Sequence, residues 1–467
     1  MLRKSRNTRM LNLGDSGRLR TMNAHVDSMA ASLVFICLTM GCGSDSTDSG
    51  DGAGAGTDSE HQSEIGSNGD RGGGNTGGTQ NESTPLTGNG VASCDGLVTD
   101  TSRHSMTSLS KPGLHESVTD AEFGTRIVRV TDVASETGGE VLKPLYSTVQ
   151  AWSADESHLV LYEVGGGHRL YDGHTYEFIR RLDINPPDLE QVYWHPRDPD
   201  VLFYADGNDL VEYSVSAGQK TVVHTFSGCR SVSAGGDPMY IAWDGQTFAF
   251  LCENTGEAFV YHLDTNTESQ GIRSADLGPQ VAPSGNTVYL AGDVYDGEMN
   301  FLRTLDLANP YDHASLGQYA NGHDTLNIIV FDSVRGSGIG TLVVYDMTTG
   351  EDRVIIGEET GYPYPPSDTH ISAVAHQAPG WVAVSVVGNS RDGREVLDNE
   401  LLLADTNSGE VCRIAHHRSK GKSGPQGYWA EPHASISPSA TRVLFASDWG
   451  GGATVDTYVV ELPSYAP

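Results

Sequence analysis

The chain has 467 residues, enough for two or three domains or for one large repeat fold. With 61 acids against 29 bases its formal net charge is −32, which argues against nucleic acid, since a phosphate-binding surface needs clustered Lys and Arg, and against docking of the body on an anionic membrane face. Its 56 glycines and 19% charged residues suit a turn-rich β protein better than a helical one.

Residues 1–41 read as a signal peptide. Arg3, Lys4, Arg6, Arg9, Arg18 and Arg20 precede the apolar run "MAASLVFICLTM". That run is too short to span a bilayer as a helix but suits the core of an export signal. It ends at Gly41-Cys42, and "LTMGC" resembles a bacterial lipobox, in which the Cys is lipidated and becomes the new N-terminus. An ordinary cleaved secretion signal is the alternative. The lipobox resemblance implies export and a lipid anchor at Cys42, on the outer membrane, at the surface or in the periplasm.

Residues 42–93 change composition sharply. "GSDSTDSGDGAGAGTDSE" and "NGDRGGGNTGGTQNEST" contain almost nothing apolar, so ordering them would cost more than burial returns. A flexible tether is expected there, lifting a folded body clear of the membrane. Of six Cys, Cys37 lies in the signal and Cys42 at the lipid site. Cys94, Cys229, Cys252 and Cys412 form an even set for an oxidising compartment, without C-x-x-C spacing. Bridges Cys229–Cys252 and Cys94–Cys412 are expected, with free buried thiols as the alternative.

From residue 94 to 467 one pattern recurs. "HRLYD", "LVEYS", "AFVYH", "LRTLD", "LVVYD", "LLLAD" and "YVVE" are short strands, most preceded by a tight turn and another β run such as "HLVLYE", "VLFYAD" or "RVLFAS". Most are followed by a further strand, such as "QKTVVHTF". Four strands per repeat, seven times over, predict an all-β, seven-bladed β-propeller. The seventh repeat lacks an outer strand, and "TRIVRVTD" near residue 125 has none to pair with, so it is predicted to complete the last blade and close the ring.

Three His-x-Ser/Thr triplets stand out: His323-Asp-Thr325, His370-Ile-Ser372 and His433-Ala-Ser435. Each is read as the entrance to the innermost strand of blades 5, 6 and 7. Residues i and i+2 of a strand share a face, so His323, His370 and His433 are expected to meet at the axial funnel. Blade duplication alone is the competing explanation. Three imidazoles around a pore suit a divalent transition metal. Long loops gather on the same face. "HHRSKGKSGPQGYWAEPH" carries Arg418, Lys420 and Lys422, which suit an anionic ligand, and Trp429, Trp449, Tyr362 and Tyr364 can stack on sugar rings. An ordinary solvated loop is the other reading. No G-x-S-x-G nucleophile elbow occurs.

The body resembles TolB-type, WD40-like propellers, because "SISPSATRVLFASD" is close to their "SPDG-x-x-I-x-F-x-S" blade core. It also resembles the oligogalacturonate lyases, seven-bladed propellers whose funnel holds a metal bound by His residues and a Gln. In that family the metal neutralises a uronate carboxylate while a base removes the adjacent C5 proton. Its last metal blade reads like Gln-x-x-His-x-His, and the matching stretch here is "YWAEPH". His433 matches the final His; Glu431 stands at the other His position and Tyr428 at the Gln. The resemblance implies manganese or zinc, with Glu431 joining the three histidines. Two functions follow as expectations. One is a monomeric surface lipoprotein that binds an extracellular carbohydrate or protein, touching the membrane only through its anchor. The other is a metal-assisted oligouronate lyase.

Overall fold

The computed structural model describes residues 92–466 except 237, 275–277, 332–340, 363–368 and 389–390. The signal segment, Cys42, the tether and Tyr364 lie outside the described residues.

Seven antiparallel sheets make a seven-bladed β-propeller, with blades over 142–181, 193–225, 232–273, 280–304, 314–356, 369–416 and 435–461. Among the described residues, helix is confined to short turns such as Val133–Glu136. The inner strands are buried on both faces, because each blade is sandwiched between two others. The strand His158–Glu163 illustrates the consequence of its period of two. Leu159 and Leu161 pack with Val128, Leu444 and Val459 of blade 7. Val160 and Tyr162 face the other way, into the cluster of Leu202, Tyr204 and Tyr213 of blade 2. A single alternating strand therefore glues two blade interfaces.

The ring closes as the orphan strand predicts. Arg126–Arg129 pairs antiparallel with Asp456–Glu461, Val128 opposite Val459, and Ser117–Thr119 adds a further strand outside it. The outer edge of Asp456–Glu461 is thereby paired, and the blade ends instead on the three-residue strand Ser117–Thr119. Upstream, the chain crosses blades 6 and 7 as a strap. Cys94 is disulfide-bonded to Cys412, Val98 bridges to Arg413, and the Trp449 indole donates to the Leu109 carbonyl at 3.0 Å. A second disulfide joins Cys229 to Cys252.

Blade 5 departs from the expected register. "DTLNIIV", read as its innermost strand, is its second strand, Asp324–Val330; the innermost is Ala314–Gln318. The latter reads weakly as β because of Gly317. That glycine suits the close packing at the axis: a Cβ there would meet the Ala373 Cβ and the Asn327 Nδ2, each at 3.0 Å, so both neighbours would have to give way slightly.

Candidate metal centre

The corrected register moves one histidine. His323 sits in the turn between the first two strands of blade 5, at the opposite end of the channel from His370 and His433. It is 38% exposed, with Nδ1 2.7 Å from an Asp346 oxygen. The residue that holds the expected position is His313, directly before Ala314–Gln318. His313-Ala-Ser315 repeats His433-Ala-Ser435 letter for letter.

The two halves of the triplets do different work. The serines form a belt around the axis. Ala373 N donates to Ser315 Oγ at 3.0 Å, Ile436 N to Ser372 Oγ at 3.2 Å, and Ser435 Oγ to Val149 O at 3.2 Å. Each bond ties one blade to the next. The histidines converge. His313 stacks on His370 with ring centroids 4.5 Å apart, and His370 meets His433 edge-on at 4.3 Å.

Glu431 completes the group. Its Oε2 lies 3.7 Å from His370 Nε2 and 3.6 Å from His433 Nε2. Ligand atoms of His370, Glu431 and His433 all lie within 4.8 Å of one another, and all three side chains are buried. Two imidazoles and one carboxylate are a donor set that divalent transition metals take. His433 Nε2 and His370 Nδ1 are buried with no hydrogen-bond partner. Burial, reinforced by neighbouring imidazoles and lysines, pushes both rings well below the usual imidazole range, so both are neutral as ligands must be. His433 also holds a left-handed backbone, φ 40°, an uncommon conformation for a residue with a side chain. On these grounds the residues present fit a divalent cation.

Around the ligands lies a shell that sequence reasoning missed. Lys143, on the innermost strand of blade 1 (Leu142–Pro144), is fully buried, with Nζ 2.6 Å from His433 Nδ1. Burial pulls its ammonium down to about 8 against the upward pull of Glu190 and Glu431. Glu190 accepts from the Tyr162 hydroxyl at 2.9 Å. Tyr146 packs edge-on to His370 at 5.7 Å. His313 Nδ1 lies 2.9 Å from the Thr369 carbonyl and so donates to it, which leaves Nε2 as an acceptor. The clue to Lys143 was a lone cation in "VLKPLY", an otherwise apolar strand entry.

The basic loop is put to other uses. Arg418 is buried, with Nη2 3.2 Å from Asp120 and Nη1 donating to Thr107 O at 2.6 Å. Lys420 donates to the Arg391 carbonyl. Lys422 is 53% exposed, with Nζ 3.3 Å from Glu431 Oε1, and stands at the mouth of the cluster. Trp449 stacks on Tyr458 at 4.8 Å, and Tyr362 is core. Trp429 packs edge-on to Tyr162 at 6.4 Å, with Lys143 Nζ 5.8 Å from the centre of its ring. Lys422 and Trp429 thus border the centre, whereas Arg418, Lys420, Trp449 and Tyr362 hold the scaffold.

No family model and no curated protein matches the chain. Solved structures do. An oligogalacturonate lyase in complex with manganese aligns at a TM-score of 0.55 and 16% identity, over 76% of this chain and 97% of that one. The oligogalacturonate lyase of Vibrio parahaemolyticus aligns at 0.55 and 14%, over 75% and 97%. At such identities the likeness bears on the fold: the chain shares the propeller of these lyases.

Proposed function

We propose that the funnel centre binds a divalent transition metal, manganese or zinc, through His370, Glu431 and His433, and acts on an oligouronate by β-elimination. The observation that carries this reading is the convergence of two neutral imidazoles and a carboxylate within 4.8 Å, buried in a propeller of the fold shared with oligogalacturonate lyases. The metal, when bound, supplies positive charge that neutralises a uronate carboxylate and makes the neighbouring C5 proton more acidic. His313 Nε2 holds a lone pair on the funnel side and accepts that proton. The C5–H electrons form the C4–C5 double bond, the C4–O bond breaks, and the leaving oxygen takes a proton from water. Lys422 adds a cation at the entrance for the anionic chain.

Capture of an anionic carbohydrate without cleavage is the second reading. It is favoured by the depth of the ligands, none of which is more than 2% exposed. Incubation of the metal-loaded protein with oligogalacturonate separates the two. Unsaturated-uronate absorbance supports the lyase; binding without absorbance supports capture; neither metal nor oligouronate binding refutes both. We further propose that the protein is exported and anchored through Cys42, which follows from the signal and lipobox pattern.

A further inference from the structure

At the opposite end of the axial channel, the turns between first and second strands enclose a cavity of about 550 Å³. Six blades contribute to its wall, and a throat of about 40 Å³ continues inward past Tyr193 and Met239. The volume is in the range of small-molecule sites, roughly 300–1,000 Å³.

We propose that this cavity is a second ligand site, taking a neutral saccharide of one or two rings. It shares no residue with the metal centre and does not rest on the lyase reading. Four features define the chemistry. Trp243 forms part of the wall and is only half-buried, which leaves ring surface for the apolar face of a pyranose. His376 lines both cavity and throat; burial pulls its ring down to about 4, so it is neutral, and the ring bonds the Val374 carbonyl, which leaves the buried, unpartnered Nε2 as the acceptor. Arg197 is exposed at the rim, and no ion pair to it occurs among the described residues. Asp155 and Asp244 also line the wall. Asp155 Oδ1 accepts from the Ser153 and Ser157 hydroxyls at 2.9 and 2.7 Å, and Asp244 accepts from Thr247 Oγ1 at 2.7 Å.

The balance of charge selects among ligands. Two carboxylates against one guanidinium leave the wall net negative, in a chain of charge −32, which disfavours an anion. A cation would need an unengaged carboxylate pair, and both acids are tied into their own turns. Hydroxyl groups can give to His376 Nε2 and take from Arg197 while a ring lies on Trp243. The throat, at about 40 Å³, is too narrow for a pyranose, so the ring stays at the mouth rather than passing along the channel.

The experiment is calorimetric titration of the full chain with cellobiose, maltose and chitobiose, together with tryptophan fluorescence. At least one disaccharide should bind, and Trp243→Ala should weaken it at least tenfold, with Trp243→Phe recovering part of the loss. Arg197→Gln changes an exposed side chain and should weaken binding severalfold at unchanged Tm, so the test stands even if Trp243→Ala folds poorly. His433→Ala and metal chelation should leave this binding intact whether or not the lyase reading holds. Three results would overturn the proposal: no binding by any of the three sugars, equal binding by wild type, Trp243→Ala and Arg197→Gln, or binding lost in His433→Ala.

Discussion

Lys143 Nζ lies 2.6 Å from His433 Nδ1, and this contact joins blade 1 to the ligand edge of blade 7. An ammonium there donates to Nδ1, which puts the ring proton on Nε2, the nitrogen turned toward Glu431. A metal on Nε2 requires the reverse tautomer, with Nδ1–H donating to an uncharged amine. Lys143 therefore competes with the metal for the Glu431 carboxylate and for the His433 imidazole.

Lys143→Met tests that competition. Without metal the variant should be less stable by about 3–5 kcal/mol, because Glu190 and Glu431 lose a buried cation. With the ammonium gone, manganese should bind about tenfold or more tightly, a gain of at least ~1.4 kcal/mol, and should restore much of the lost Tm. Calorimetry with manganese and melts with and without it measure both effects. Manganese affinity equal to or weaker than that of the wild type would remove the competition argument.

Closure can be tested by truncation. A chain starting at residue 92 retains the strap, the outer strand Arg126–Arg129 and the Cys94–Cys412 bridge, and should melt like the full chain. A chain starting at residue 133 loses the strand opposite Asp456–Glu461 together with Ile127 and Val128, both buried. Each of those side chains contributes about 1.5–3 kcal/mol of burial, and blade 7 regains a bare edge. Its Tm should fall by ten degrees or more, with loss of a single cooperative transition. Equal melting of the two would mean that the ring holds without its clasp.

How far the sequence carried this reading depended on how local each signal was. The closing strand was legible because "TRIVRVTD" alternates strongly and had no partner nearby. Blade 5 was misread because the innermost strand "ASLGQ" has little β character, although His313-Ala-Ser315 repeats the last triplet. Lys143 and Glu190 were invisible as site residues because their meeting with His433 depends on ring closure between blades 1 and 7. Arg418 looked like a ligand-binding residue for the converse reason: its partner Asp120 lies 298 residues away, in the turn between Ser117–Thr119 and Arg126–Arg129. A basic loop in an acidic chain shows charge, not where the counter-charge will sit.

Stability should fall in mild acid, and His417 supplies part of the reason. It is fully buried; Nε2–H donates to Val386 O at 3.0 Å and Nδ1 accepts from Ser419 N at 3.0 Å, so the ring has no place for a second proton. Burial drives it from 6.5 to about 3. Between those values the unfolded chain binds a proton that the folded chain does not, so stability rises with pH across that window and is lost as pH falls. The slope is about 1.4 kcal/mol per pH unit for this one group. Denaturant unfolding from pH 7 to 4 should show it, and His417→Asn should reduce the slope by one proton. An unchanged slope in the variant would mean that His417 stays protonated in the fold.

Cys42→Ser tests the anchor. The variant should move from the membrane fraction to the soluble fraction with the Tm of the folded part unchanged. Continued membrane association of the Ser variant would remove the lipid-anchor reading.

His313 and His323 give the sharpest contrast, because they lie on the same blade at opposite ends of the channel. His313 stacks on His370 and is the group assigned to take the C5 proton. His323 is bound to Asp346 at 2.7 Å in a half-exposed turn. His313→Ala should leave manganese binding within about threefold of wild type, because the ligand set His370, Glu431 and His433 is intact, and lower turnover of oligogalacturonate by about a hundredfold or more, the usual contribution of a positioned base. His370→Ala and His433→Ala should instead abolish metal binding. Their combination should cost no more than either alone, since residues of one cluster are coupled. His323→Ala should change neither metal binding nor turnover, and should shift Tm by little, as exposed ion pairs contribute roughly 0–1 kcal/mol. Calorimetry and unsaturated-uronate absorbance on the wild type and these five variants decide the matter. Loss of activity in His323→Ala with full activity in His313→Ala would reverse the assignment of the site to this end of the channel.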